Sequence, residues 1–151
     1  MRLGLHGLIA SGVLACGVTA ASAETLPMAQ IAVDTASGSK TFTVEIAADA
    51  ASQMRGLMHR SELPHDAGML FDMHRDAPVA FWMKNTELPL DMLFIRADGT
   101  VATITPNATP YSTSLVPSAV PVRAVLEINA GQAAALGIRP GDRVGAAIFG
   151  R

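Results

Sequence analysis

Trp82, Lys84, Asn85 and Asp91 stand close together in the segment Phe81-Trp82-Met83-Lys84-Asn85-Thr86-Glu87-Leu88-Pro89-Leu90-Asp91-Met92, and Trp82 is the only tryptophan of the chain. An aromatic platform beside a two-way hydrogen-bonding amide is a common way to hold sugars and small aromatic ligands. Strand alternation over this stretch puts Trp82 and Lys84 on one face and Phe81 and Met83 on the other. The face with Lys84 is the one to meet solvent. The alternatives are plainer: a sole Trp can anchor a core, and Asn85-Thr86 can be the turn that ends a strand.

Two carboxylates could do acid–base work. Asp91 opens Leu90-Asp91-Met92-Leu93-Phe94-Ile95, and Glu127 lies in Val125-Leu126-Glu127-Ile128. Both segments are apolar on both faces, so each acid must be hydrogen-bonded or paired. As partners with separated pKa values they would suit a hydrolase- or lyase-type reaction. The structural alternative is that each anchors backbone N–H groups or pairs with Arg55, Arg60 or Lys84. The resulting expectation is a cleft built by Trp82, Lys84, Asn85, Asp91 and Glu127, with Arg55 as counter-ion. It would bind a small polar ligand or an envelope protein without catalysis, with Asp91 and Glu127 as the catalytic residues of the enzyme alternative.

A third possibility comes from sulfur. Met54, Met58, Met69, Met73, Met83 and Met92 share one stretch with His59, His65 and His74, and thioether with imidazole suits Cu(I). The helical spacing of Met54 and Met58 equally fits core packing, so no cofactor is expected and copper remains the alternative. No Gly-x-Ser-x-Gly elbow, phosphate-binding glycine loop or His-Glu-x-x-His helix occurs, which removes the usual hydrolase and metalloprotease signatures.

The elements that must position these residues are short. Ala29–Val33 and Thr41–Ala47 alternate as an opening hairpin around Ser37-Gly38-Ser39. Asp49 caps a short helix whose stripe is Ala50, Met54, Leu57 and Met58. Strands are expected over Gly68–Met73, Val79–Lys84, Leu90–Ala97 and Thr100–Thr105, the last two joined at Asp98-Gly99. A long loop from Thr109 to Pro121 leads to a strand at Arg123–Asn129. A short helix at Ala130–Leu136 and a closing strand at Asp142–Phe149 follow. This predicts a mainly β (α+β) fold: a compact barrel-like or sandwich-like antiparallel sheet with two short helices. Parallel crossovers are not expected, for want of long helices.

The ends bound the setting. Met1-Arg2, the apolar stretch Leu3–Ala21 and the small residues Ala21-Ser22-Ala23 have the form of a secretory signal peptide over 1–23. A lead-in at 24–27 and a single globular domain at 28–151 complete the layout. The protein is then expected to be periplasmic or secreted, with lipidation at Cys16 as the alternative. Cys16 is the only cysteine, so cleavage near Ala23 leaves neither disulfide nor thiolate. The chain has 11 basic and 13 acidic residues, a balance that disfavours nucleic acid and anionic membrane partners. No membrane span is expected, and oligomeric state is left open.

Arg55-Gly56-Leu57-Met58, Gly68-Met69-Leu70-Phe71, Phe81 to Thr86, Pro89-Leu90-Asp91, Val125-Leu126-Glu127 and Gly141-Asp142 occur in an order that resembles the domain of unknown function 192 family. The resemblance spans about Met28 to Phe149 and implies a small, mainly β, often exported domain without an established activity. It places the family's signature on Arg55, Gly56, Met58, Gly68, Met69, Phe81, Trp82, Asn85, Thr86, Asp91 and Glu127.

Overall fold

The computed structural model describes residues 25–150, so the 1–23 segment and Cys16 lie outside the described residues. Strand β1 (Met28–Thr35) and β2 (Gly38–Ala47) form the expected hairpin. Its alternation sends Ile31, Val33, Phe42 and Val44 to the core. Asp49 caps α1 (Ala50–Arg55) by accepting from the backbone N–H groups of Ala51 and Ser52, both at 2.9 Å. Ser52 returns a hydroxyl contact to complete the capping box. The helix stops a turn earlier than its apolar stripe suggests, because Gly56 takes a positive φ of 49° and turns the chain away.

The remaining strands are β3 (Ala67–Ala77), β4 (Ala80–Phe81), β5 (Leu90–Ile95), β6 (Val101–Ala108), β7 (Val116–Pro117), β8 (Val122–Asn129) and β9 (Arg143–Gly145). A one-turn helix, α2 (Gln132–Ala135), follows β8. Seven strands make one curled sheet, a half-barrel in the order β6-β5-β8-β3-β2-β1-β9, and β4 pairs β7 in a separate ribbon. The fold is mainly β with two short helices, as the periodicity predicts.

Several details differ from that reading. β2 and β3 are parallel, the single parallel pair in an otherwise antiparallel sheet. The Ala48–Asp66 connection has enough chain to cross over around so short a helix. Val79–Lys84 is strand only at Ala80–Phe81, and the 109–121 loop contributes β7 as its partner. β3 runs on to Ala77 through an irregularity between Asp72 and Ala77. The closing strand ends at Gly145, after which Ala147–Phe149 forms a 3-10 turn.

The sheet has two apolar faces, which explains why β5 is buried at every position. On one face Leu93, Ile95, Leu126 and Ile128 pack with Val33, Phe42, Leu70 and Ile138. On the other, Met69, Phe71, Met92, Phe94 and Val125 pack with Leu57 and Met83. The turn after α1 and the β4–β7 ribbon cover this second face, where Leu63, Phe81 and Val116 join its cluster.

Candidate functional site

Strand alternation decides the fate of the two acids. Asp91 shares its parity with Leu93 and Ile95, whereas Glu127 shares its parity with Val125. They therefore belong to opposite faces of the sheet.

Asp91 is 0% exposed and its carboxylate accepts three backbone N–H bonds. These come from Asn107 at 2.9 Å, Gly131 at 3.0 Å and Ala133 at 2.9 Å. It ties the end of β6 and the start of α2 to the head of β5. The acid–base pairing of Asp91 with Glu127 is corrected here, since the sheet stands between them and Asp91 has its acceptor capacity in use.

Glu127 is 4% exposed and lines a cleft of about 450 Å³ on the second face. No described residue gives its carboxyl a hydrogen bond or an ion pair. Burial is the sole cause that pushes its pKa up from 4.5 to about 8. Leu57, Phe71 and Phe81 form much of the apolar wall, and Thr86, Gln53 and Arg55 add polar groups. Phe71 and Phe81 meet edge to face at 4.9 Å, and Phe81 reaches Phe94 at 6.2 Å, so this wall is continuous with the core.

The rim is made of large apolar side chains in contact with solvent. Met54 is 64% exposed, Leu115 66% and Trp82 37%, and all three line the cleft. The alternation expected around Trp82 holds: Met83 is buried and Phe81 packs against the core, while Trp82 and Lys84 face outward. Lys84 Nζ sits 5.1 Å from the Trp82 ring centroid, a cation–π contact.

Asn85 is a turn residue with a left-handed φ of 55°. Its carbonyl accepts the His59 N–H at 2.9 Å, and its amide lies 3.9 Å from Met58 Sδ. It stitches the exit of α1 to the turn after Trp82. Thr86 is buried beside it, and its backbone carbonyl accepts the Tyr111 N–H at 3.0 Å. Of the six expected site residues, the cleft contains Trp82, Glu127 and Arg55. Lys84 and Asn85 support it from Trp82 and Met58, and Asp91 lies on the other face.

The sulfur-rich stretch is divided. Met69, Met83 and Met92 are core residues, whereas Met54, Met58 and Met73 line the cleft. The exposed Met54 corrects the expectation that it packs the core. His59, His65 and His74 are exposed and not among the lining residues, so the thioethers and imidazoles are not brought together. Among the described residues no three His, Cys, Asp or Glu side chains converge as a metal site.

Leu57, Phe71, Phe81 and Leu115 line the cleft, and the sequence reading did not place them in the site. Leu115 carries the clearest signal, as a large apolar residue in the Pro-, Ser- and Thr-rich 109–121 loop. Gly68 has a role beside the site. A Cβ there would lie 2.7 Å from the Glu127 carbonyl oxygen, so glycine lets β3 and β8 approach where Glu127 is held.

Among the described residues no helix is long and apolar enough to cross a membrane. No curated protein matches the chain. Two solved structures are similar to it. One is a Sinorhizobium meliloti 1021 protein described, provisionally, as a transcription regulator, with 47% identity and a TM-score of 0.81. That match covers 83% of this chain and 98% of that one. The other is a protein of unknown function from Novosphingobium aromaticivorans DSM 12444, with 40% identity and a TM-score of 0.80, covering 90% and 100%. The pattern of the domain of unknown function 192 family (DUF192, uncharacterized ACR) matches residues 32–146, and the chain belongs to that family.

Proposed function

We propose that this protein binds, without catalysis, a small molecule with an apolar body and one polar head, in the cleft between α1 and Trp82. The observation that carries this reading is the Glu127 carboxyl, buried and without a partner among the described residues, on an otherwise largely apolar lining. A structural acid is normally satisfied by its own fold, as Asp91 is. An unpartnered one in a cleft of about 450 Å³ suits an incoming group, since small-molecule sites are mostly apolar with a few placed polar groups.

The cleft favours a more apolar ligand than the sequence reading does. The hydrolase or lyase alternative loses its pair of acids to the parity of β5 and β8, and the copper alternative loses its histidines to the surface. The description of the Sinorhizobium protein gains nothing from the charge of this chain, with 13 acidic against 11 basic residues. The form of residues 1–23 supports work outside the cytoplasm.

Hexan-1-ol serves as a test probe. Titration is expected to shift the NMR signals of Gly56, Leu57, Phe81 and Trp82 together and to change the fluorescence of the sole tryptophan. Trp82→Ala should lose most of the NMR response while still unfolding cooperatively. Shifts scattered away from the cleft, or a folded Trp82→Ala protein that binds unchanged, would refute the reading.

A further inference from the structure

We infer that the polar head of the ligand is a cationic amine, which pairs with the Glu127 carboxylate while its alkyl or aryl body lies between Met54, Leu115 and the rings of Phe81 and Trp82. This rests on the cleft being a ligand site and names the chemistry of what enters it. Glu127 is 4% exposed and receives no donor from the described residues. An ammonium supplies that donor together with the opposite charge, and such charge-assisted bonds are the stronger kind. Above a pH of about 8, where the acid is ionised, an anionic head would be repelled. A hydroxyl would make only a neutral bond.

The walls point the same way. Aromatic faces attract cations, and Trp82 already holds Lys84 Nζ at 5.1 Å from its ring centroid. The charged groups around Glu127 are few. From α1, Arg55 lines the cleft at its exposed end, where water and salt screen it. From β3, Asp72 is paired with Arg123 of β8. Beside β4, Lys84 lies over the indole. From β5, the neighbour of Glu127 in register is Met92, and Asp91 faces the opposite side of the sheet. Burial alone raises the Glu127 pKa.

Binding has a proton balance. Below a pH of about 8 the buried carboxyl carries its proton, so a bound ammonium displaces one H+ to solvent and no covalent bond changes. Affinity for an amine should therefore rise roughly tenfold per pH unit below that point and level off above it.

The experiment compares hexan-1-amine, hexan-1-ol and hexanoate at pH 6, 7 and 9 by calorimetry in buffers of different ionisation heat. The expected result is that the amine binds most tightly at pH 9, by roughly tenfold over the alcohol. It should weaken by more than roughly tenfold at pH 6, with close to one proton released per amine bound there. Glu127→Gln should lose both the preference for the amine and the pH dependence. Alcohol or hexanoate binding as well as the amine at pH 9, or amine affinity independent of pH, would overturn the inference and leave the ligand site standing. Failure of all three probes to bind would overturn both.

Discussion

At the scale of single residues, Asp91 and Glu127 show how one amino-acid class serves two ends. Among the described residues three N–H donors reach Asp91 and none reach Glu127, so one is a tether and the other is the acid of the proposed site. The cost of Glu127 should be visible in stability. Its folded pKa is about 8 against an ordinary 4.5, so the folded state holds this proton more tightly than the unfolded chain. The associated stability is complete below pH 4.5, falls as pH rises, and is gone above about 8. By pH 7 the loss amounts to about 3 kcal/mol. Glu127→Gln removes the titration, and urea unfolding at pH 5, 7 and 8 should show a flatter profile with a higher midpoint than the parent at pH 7 and 8. An unchanged slope would mean that Glu127 titrates normally. That both acids sit in apolar strands was legible in the sequence. Which one finds donors was not, because the N–H groups of Gly131 and Ala133 come into place only when α2 docks.

At the scale of elements, the first helix and the tryptophan segment explain the shape of the cleft. The period of Met54, Leu57 and Met58 was readable, but it implied a buried stripe along a continuing helix. Gly56 breaks that helix, so Leu57 goes to the core while Met54 stays at the rim. The alternation of Phe81 to Lys84 was read correctly even though only Phe81 of those residues is in a ladder, since an extended backbone keeps the same period without a partner. The β4–β7 pairing was hidden because two-residue strands leave too little pattern to detect. Asp91 acts at this scale, joining β5, β6 and α2. Asp91→Ala leaves three N–H donors without their acceptor, one of them buried, and should cost about 3 kcal/mol. Asp91→Asn, which keeps an acceptor oxygen, should lose less. Denaturant unfolding of the two variants checks this, and equal losses would show that the acceptor bonds are not what matters.

At the scale of the whole molecule, two faces of one curled sheet divide the labour. The face with α2 is closed by an apolar core, and the other is left open between α1 and the Trp82 segment. The export expected from residues 1–23 makes a prediction for the full chain: the intact mass of protein produced in a Gram-negative host should correspond to a start at Glu24. A mass that retains Met1, or carries acyl chains on Cys16, would contradict it. The strand order has a temporal consequence. β8 lies between β3 and β5, yet it follows both in the chain, so the middle of the sheet cannot close while synthesis has reached only β6. Until residue 129 emerges, the apolar edges of β3 and β5 lack the strand that joins them. Folding must then wait for long-range pairing, which is slow relative to hairpin closure. A nascent chain of this topology spends its early life with sticky edges that another protein has time to hold.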